Sequence, residues 1–344
     1  MPKKVICAMS GGVDSSVAAA LLKKQGFNVI GVFMKFWSGP SGDVKRWNRC
    51  CSPDSEKRAR ETARVLGIPF YVFNFKREFK KKVVDYFLRE YKAGTTPNPC
   101  VVCNKDIKFG LLLARGLALK ADFLATGHYV RKDGNCLLKG KDKEKDQSYF
   151  LWQLNQKQVK KILLPMGKYT KKETRALARK FDLPVADVPE SQEVCFIQNA
   201  IEEFLGRYLK EKPGQMVNQK GKVLGQHKSL AYYTIGQRKG IGLPGGPYFV
   251  MGKDLKRNLL ILTKNEKDLL KKELSFKKAN WISDKPPKLP LRVKAKIRYR
   301  HKEASGVIKK GNKFVFDKPQ RAVTLGQSVV FYKGQEMLGG GIIR

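Results

Sequence analysis

The sequence predicts an α/β protein in three parts. A doubly wound parallel sheet occupies residues 1–209, a small mixed or mainly β domain 210–278, and an antiparallel β-barrel 279–344. Three observations predict this. Short apolar runs alternate with helical patterns through the first 130 residues, glycine-rich short runs take over near residue 213, and period-2 alternation follows a proline-rich stretch at 284–290. A chain of 344 residues suits two or three such domains.

In order, the runs VICAM (5–9), VIGVFM (29–34), FYVFNF (70–75) and FLATG (123–127) have the near-continuous apolar character of strands buried on both faces. Between them, SSVAAALLKKQG, PDSEKRARETARVLG, EFKKKVVDYFLREY and KDIKFGLLLARGLAL repeat apolar residues at three and four, the helical spacing. Strand and helix in alternation imply a parallel sheet that binds ligands at the carboxyl ends of its strands. Residues 146–209 read as mostly helical. Then GQMVNQKGKVLG, YFVMGKD and NLLILT suggest the small β domain. DKPPKLP (284–290) reads as a linker, and LRVKAKIRYR, ASGVIKK, NKFVFDK and SVVFYKG alternate as barrel strands do. There is no internal repeat.

Composition narrows the function classes. The apolar run at the N-terminus is too short for a signal peptide, and no segment approaches a membrane span, so a cytoplasmic location with no membrane partner is expected. Seven cysteines, an odd number in a long chain, argue against a secreted disulfide framework. The 70 Lys and Arg against 30 Asp and Glu give a net charge of +40, which points to a polyanionic partner, nucleic acid before a membrane surface. A general lysine bias would give the same total, because the basic residues are spread along the chain.

Directly after the first strand comes SGGVDSS (10–16) and then a helix. Gly11 and Gly12 let the backbone turn tightly, and Ser15 and Ser16 fall where a helix start presents hydroxyls and amides to an anion. The lysine and glycine spacing of a Walker A loop is absent, and an ordinary turn is the plain alternative. This stretch resembles the PP-loop of ATP pyrophosphatases, with their adenine nucleotide α-hydrolase-like fold. These enzymes cleave ATP between the α and β phosphates and adenylate a substrate. The resemblance implies bound ATP at 10–16, with Asp14 a partner for Mg²⁺.

The cysteines then ask for a role. As small hydrophobes Cys7 and Cys136 need none. Cys50 and Cys51 are adjacent and point apart, and only His128, His227 and His301 could complete a zinc site. TTPNPCVVCN (95–104) holds Cys100 and Cys103 in C-x-x-C spacing at a helix start, where Lys105, Lys108 and the helix end favour a thiolate. Zinc, a redox pair, an iron–sulfur site and a nucleophile with a helper all fit that spacing. Cys195 in SQEVCFI lies outside any strong helical pattern and would meet Cys103 at the sheet's carboxyl edge. ATP activation with two suitable cysteines points to sulfur transfer.

The match then tightens. MSGGVDSSVAAALL, GVFMK, TPNPCVVCNKDIKFG, ATGHYVR, DQSYFLWQL, SQEVCFI, YTIGQRKGIGL, RYRH and LGGGII stand in the order seen in bacterial tRNA-specific 2-thiouridylases, and the chain resembles that family from residue 4 to 343. The resemblance implies an ATP-dependent replacement of the C2 oxygen of the wobble uridine by sulfur, releasing AMP and pyrophosphate. It assigns ATP to Ala8, Met9, Ser10, Gly11, Gly12, Val13, Asp14, Ser15, Met34 and Gly127. Cys103 matches the nucleophile, and Cys195 the cysteine that carries a persulfide and forms a transient disulfide with Cys103. Asn98, Pro99 and Cys100 match the loop that holds the flipped-out base. His128, Lys145, Asp146, Gln147, Arg298, Tyr299 and Gln327 match positions near the tRNA. The implied partners are tRNAs for Lys, Glu and Gln and a sulfur donor, either a cysteine desulfurase or a relay protein.

Many relatives have Asp where this chain has Cys100. A third thiolate beside Cys103 and Cys195 would permit an iron–sulfur cluster with one open iron. Without the resemblance, His128 reads as a strand-end histidine, Met34 as core, and Arg298, Tyr299 and Arg300 as a solvated barrel face. The rivals are a PP-loop ligase acting on a small metabolite, which needs neither cysteine, and an RNA-binding protein with a relic nucleotide loop.

Overall fold

A computed structural model describes residues 1–37, 51–189, 194–197 and 200–344. Five parallel strands form the first sheet: β1 (Lys4–Ala8), β2 (Asn28–Lys35), β3 (Phe70–Asn74), β4 (Phe123–Ala125) and β7 (Ile162–Leu163). Their order is β3-β2-β1-β4-β7. The chain steps outward from β1 through β2 to β3, then returns to the other side of β1 for β4. Right-handed crossovers in opposite directions put helices on both faces, which is the doubly wound arrangement expected. The reversal at β1 opens a crevice at the carboxyl ends of β1, β2 and β4.

The connecting helices follow the predicted runs. They include α1 (Val13–Lys24) and α2 (Pro53–Val65), the latter capped by the Ser52 hydroxyl on the Ser55 amide. The segments Lys76–Phe79, Lys80–Val84 and Asp85–Lys92 run on as one helix, and Pro99–Val102, Cys103–Leu112 and Leu113–Ala118 as another, each with a π-helical middle. Residues 146–209 are less helical than their pattern suggests. They hold β7 and the helices Gln156–Lys160, Lys171–Lys180 and Ile201–Tyr208 with short 3₁₀ turns between.

The small domain is a four-stranded mixed sheet of β8 (Gly214–Asn218), β9 (Val223–His227), β10 (Phe249–Asp254) and β11 (Leu259–Thr263), in the order β10-β11-β8-β9. The barrel has six antiparallel strands: β12 (Leu270–Trp281), β13 (Leu291–Lys296), β14 (Ala304–Lys309), β15 (Lys313–Arg321), β16 (Ser328–Lys333) and β17 (Glu336–Ile343). Pairing of β12 with β17 closes it. The expected break between 278 and 279 falls inside β12, whose residues from Leu270 onward already pair with β15. The barrel therefore starts at Leu270, and the prolines of 284–290 lie in its β12–β13 connection, not in a linker between domains. The polar face of LKKELSFKKANW hid that strand, because one side of it is solvated.

A hairpin that the sequence did not announce joins the parts. β5 (Val130–Asp133) and β6 (Cys136–Lys139) leave the first domain and attach to β17 of the barrel through the Leu138–Glu336 pair. Cys136 is accordingly half-buried, with its thiol pushed up by burial and by the Glu336 carboxylate. Cys7 behaves as expected: it is fully buried in β1, and burial pushes its thiol up to about 12.

The segment 146–154 forms the seam between the first domain and the barrel. Tyr149 and Trp152 are fully buried. The Tyr149 hydroxyl donates to the Ser328 carbonyl at 2.9 Å, and Trp152 Nε1 to the Ser328 hydroxyl at 3.0 Å. Asp146, 4% exposed, accepts from the Gly140 and Ser148 amides through Oδ1 and pairs with Lys296 Nζ at 3.2 Å through Oδ2. Among the described residues no helix is long and apolar enough to cross a membrane.

Removing the Asp146 carboxylate leaves a buried ammonium and two amides without their acceptor. Asp146→Ala is expected to lower unfolding free energy by about 3–5 kcal/mol, read from urea denaturation of the full chain, with Lys296→Met restoring part of the loss. A change below about 1 kcal/mol would show that the seam does not depend on this pair.

Candidate active site

Two edges of structure meet at the carboxyl ends of the parallel strands. The first is the loop between β1 and α1. Gly11 has φ +72°, and a Cβ there would stand 2.1 Å from the Ser55 carbonyl oxygen, so only glycine fits this approach of the loop to α2. The turn is held from within: the Ser10 amide donates to Ser15 Oγ at 3.1 Å, and the Ser15 and Ser16 hydroxyls donate to the Gly12 carbonyl at 3.0 and 3.1 Å. Arg58 of α2 donates to the Gly11 carbonyl at 3.1 Å. The amino end of α1 thus faces the crevice with its backbone amides, the arrangement that receives phosphate.

Met34 at the end of β2 and Gly127 just after β4 flank this loop, as a nucleotide site at the reversal point requires. Gly127 is packed against it: a Cβ there would lie 2.7 Å from the Ser15 amide nitrogen and 2.8 Å from the Asp14 carbonyl carbon. Asp14 is already engaged. Its Oδ1 lies 2.6 Å from Lys171 Nζ and accepts from the Tyr129 hydroxyl at 2.7 Å. Lys171, Tyr129 and Arg58 are three groups at the loop that motif reading missed. A signal for Lys171 existed, since T-K-K-E at 170–173 is a capping-box sequence and the structure forms that box at the start of Lys171–Lys180.

The second edge carries the cysteines. The helix that begins at Pro99 leads into the parallel strand β4, so its amino end lies at the carboxyl edge of the sheet. Contacts along it agree: Phe109 packs on His128 just beyond β4, while a Cβ on Gly116 would touch Ile6 in β1. Asn98 caps this helix, its side chain accepting from the Val101 amide. Cys100 is half-buried and Cys103 buried at the first turns. On the same edge, Phe36 follows β2 and stacks on Phe79 at 4.6 Å. Phe79, Phe87 and Phe204 surround Phe196, which anchors the half-buried Cys195 next to it. Cys103 and Cys195 thus belong to one apolar core at one edge of one sheet.

Among the described residues no three His, Cys, Asp or Glu side chains are gathered to hold a metal ion, so Cys100, Cys103 and Cys195 are not a preformed cluster site. Cys51 is buried beside the Phe36 carbonyl, and Cys50 lies outside the described residues.

The residues matched to tRNA positions divide by environment. His128 is buried, bonded to Thr126 Oγ1 at 2.7 Å, and burial with nearby Lys108 holds its imidazole well below its usual range, hence neutral. Asp146 is the seam carboxylate, and Gln147 accepts from the Tyr129 amide at 3.0 Å. Tyr299 packs on Phe150 at 4.4 Å. Arg298 donates to the carbonyls of Ile235 and Ala322 at 3.0 and 2.8 Å, tying the small domain to the barrel. Gln327 reaches the carbonyls of Thr96 and Pro97. The Lys145 amide donates to Asp142.

Comparison with known proteins places this geometry. Residues 3–199 match a family model described as the tRNA methyl transferase HUP domain, 202–264 the tRNA methyl transferase PRC-barrel domain, and 271–343 an aminomethyltransferase beta-barrel domain. The tRNA-specific 2-thiouridylase MnmA of Clostridioides difficile is 47% identical over 100% of this chain and 98% of its own. The protein of that name from Carboxydothermus hydrogenoformans is 46% identical over 99% and 97%, and one from Caldanaerobacter subterraneus 48% over 99% and 97%.

Two outcomes follow from the geometry. Gly127→Val should drive a side chain into the Asp14–Ser15 backbone and weaken ATP binding by about tenfold or more in titration calorimetry, with melting shifted by only a few degrees. Retained affinity would mean that the loop does not depend on this contact. Cys7 should resist iodoacetamide in the native protein at pH 8, since its thiol titrates near 12; rapid labelling seen by peptide mass spectrometry would contradict the burial.

Proposed function

The chain belongs to the tRNA-specific 2-thiouridylase family, and we propose how its residues divide the work of ATP-dependent thiolation of tRNA at C2 of the wobble uridine. The observation that carries the reading is the meeting of a phosphate loop and two cysteine segments at the carboxyl edge of one parallel sheet. The backbone amides of residues 10–15 and the amino end of α1 bind the triphosphate, while Met34 and Gly127 border the adenosine. Mg²⁺ accompanying the triphosphate would be held by Asp14 and would neutralise charge on the departing pyrophosphate.

The uridine C2 oxygen attacks the α-phosphate and displaces pyrophosphate, making the poor leaving group an AMP ester. Asn98, Pro99 and Cys100 hold the extruded base over the helix that carries Cys103. A persulfide on Cys195 attacks C2 through its outer sulfur, and AMP leaves. The Cys103 thiolate then attacks the inner sulfur, the S–S bond breaks, and the thiolated base departs with that electron pair, leaving a Cys103–Cys195 disulfide for external reduction. Cys103 at a helix amino end and Cys195 on its aromatic support suit these roles. Recharging of Cys195 calls for a sulfur donor protein, and the +40 charge suits the tRNA polyanion, tRNAs for Lys, Glu and Gln being the expected acceptors.

The test uses protein purified without oxygen, with ATP, tRNA and a persulfide source. Cys103→Ala and Cys195→Ala should each abolish 2-thiouridine in nucleoside mass spectrometry while tRNA-dependent pyrophosphate release continues. Cys100→Ala should keep thiolation within about tenfold, because its part is to line the base loop. Stoichiometric iron required for turnover, lost in Cys100→Ala, would overturn the disulfide route in favour of an iron–sulfur cluster.

A further inference from the structure

The loop from Gly94 to Asn98 delivers the base-holding residues, yet packing does little to fix it. Behind it lies a cavity of about 330 Å³, bordered by Gly94, Thr95, Thr96, Met251, Leu255 and Leu325. The loop's position therefore rests on polar ties to the other two domains. The Thr96 amide donates to the Leu325 carbonyl at 2.9 Å, and the Thr96 and Thr234 hydroxyls meet at 3.2 Å. Lys253 Nζ donates to the Gly94 carbonyl at 3.2 Å. Gln327 Nε2 donates to the Thr96 carbonyl at 3.0 Å and the Pro97 carbonyl at 3.2 Å. Between Leu325 and Gln327, Gly326 has φ +88°, and a Cβ there would lie 2.9 Å from the Thr96 carbonyl oxygen. The barrel turn thus grips two successive peptides of the loop, and the residue after them is Asn98, the cap of the Cys100–Cys103 helix.

We infer that Gln327 is a positioning residue for the base-holding loop, acting through the Thr96 and Pro97 carbonyls and not by contact with tRNA. The inference rests on the reading that Asn98–Cys100 receives the base. Its chemistry is specific: one side-chain amide has two N–H donors, and here both face carbonyls of the loop. A donor committed in this way fixes where Asn98 sits, and displacements near 1 Å at a reacting centre cost about 100-fold in rate. The resemblance had placed this residue at the tRNA; the structure gives it an intramolecular task.

The experiment compares Gln327→Met, similar in length but without donors, with wild type as full-length protein. Three readouts separate the possibilities: amide exchange at Thr95–Asn98 without tRNA, tRNA affinity, and kcat against KM for tRNA. Expected are an exchange rate about tenfold faster in the free protein, tRNA affinity within about twofold of wild type, and kcat down about 10- to 100-fold with KM for tRNA held. Tenfold weaker tRNA binding with unchanged exchange in the free protein would overturn the proposal and make Gln327 a contact residue. Gly326→Ala disturbs the same grip from the neighbouring peptide and should give the same pattern, so it decides the matter should Gln327→Met fold poorly. The exchange arm needs no catalysis, and failure of wild type itself to thiolate tRNA would count against the functional reading alone.

Discussion

A single buried carboxylate organises this molecule. Asp146 lies at the centre of the seam and satisfies two backbone amides, one hydroxyl and the ammonium of Lys296. The ammonium comes from the barrel and the amides from the first domain, so neither part can complete this set alone. A charge removed from water is tolerated only with partners of this kind. The neighbouring Tyr149 and Trp152 then bury their rings and place their polar tips on Ser328 of the barrel. Fixing the barrel on the sheet in this way also fixes where its turn at 325–327 meets the loop before Asn98.

That placement gives the catalytic edge its character. Phosphate loop, cysteine helix and Cys195 segment all lie where parallel strands end, on the side where amide dipoles and helix amino ends are positive. Asp14 is the exception, and the structure neutralises it with Lys171 and Tyr129. An anionic nucleotide and a polyanionic RNA can therefore share one edge without facing an uncompensated carboxylate.

How much of this the sequence made legible depended on the range of the interactions. Strands β1 to β4 were readable because burial on both faces gives unbroken apolar runs. The glycine turn at 10–16 was readable because it needs particular residues within a few positions. β7, only two residues long, and the hairpin VRKD…CLLK carry too little pattern to register. The barrel start was displaced because β12 shows lysines to solvent on alternate positions. Least legible were the jobs of Arg298, Gln327 and Asp146. Each resembles a surface polar group in the sequence, and each acts on a partner that folding alone brings near: Gln327 reaches across more than 200 residues to Thr96.

The hairpin β5–β6 has a consequence for how the chain is made. Its outer strand finds its partner in β17, the last strand of the protein, on the order of 200 residues later. At ribosomal speeds of about 5–20 residues per second, that edge waits roughly 10–40 s in the open after it leaves the tunnel. The same final strand also closes the barrel onto β12. The first domain is thus born with an exposed strand edge, a template for pairing with the wrong chain, until the terminal eight residues arrive. Translation rate and chaperone supply, more than the stability of the finished fold, would then set how much of this enzyme a cell obtains.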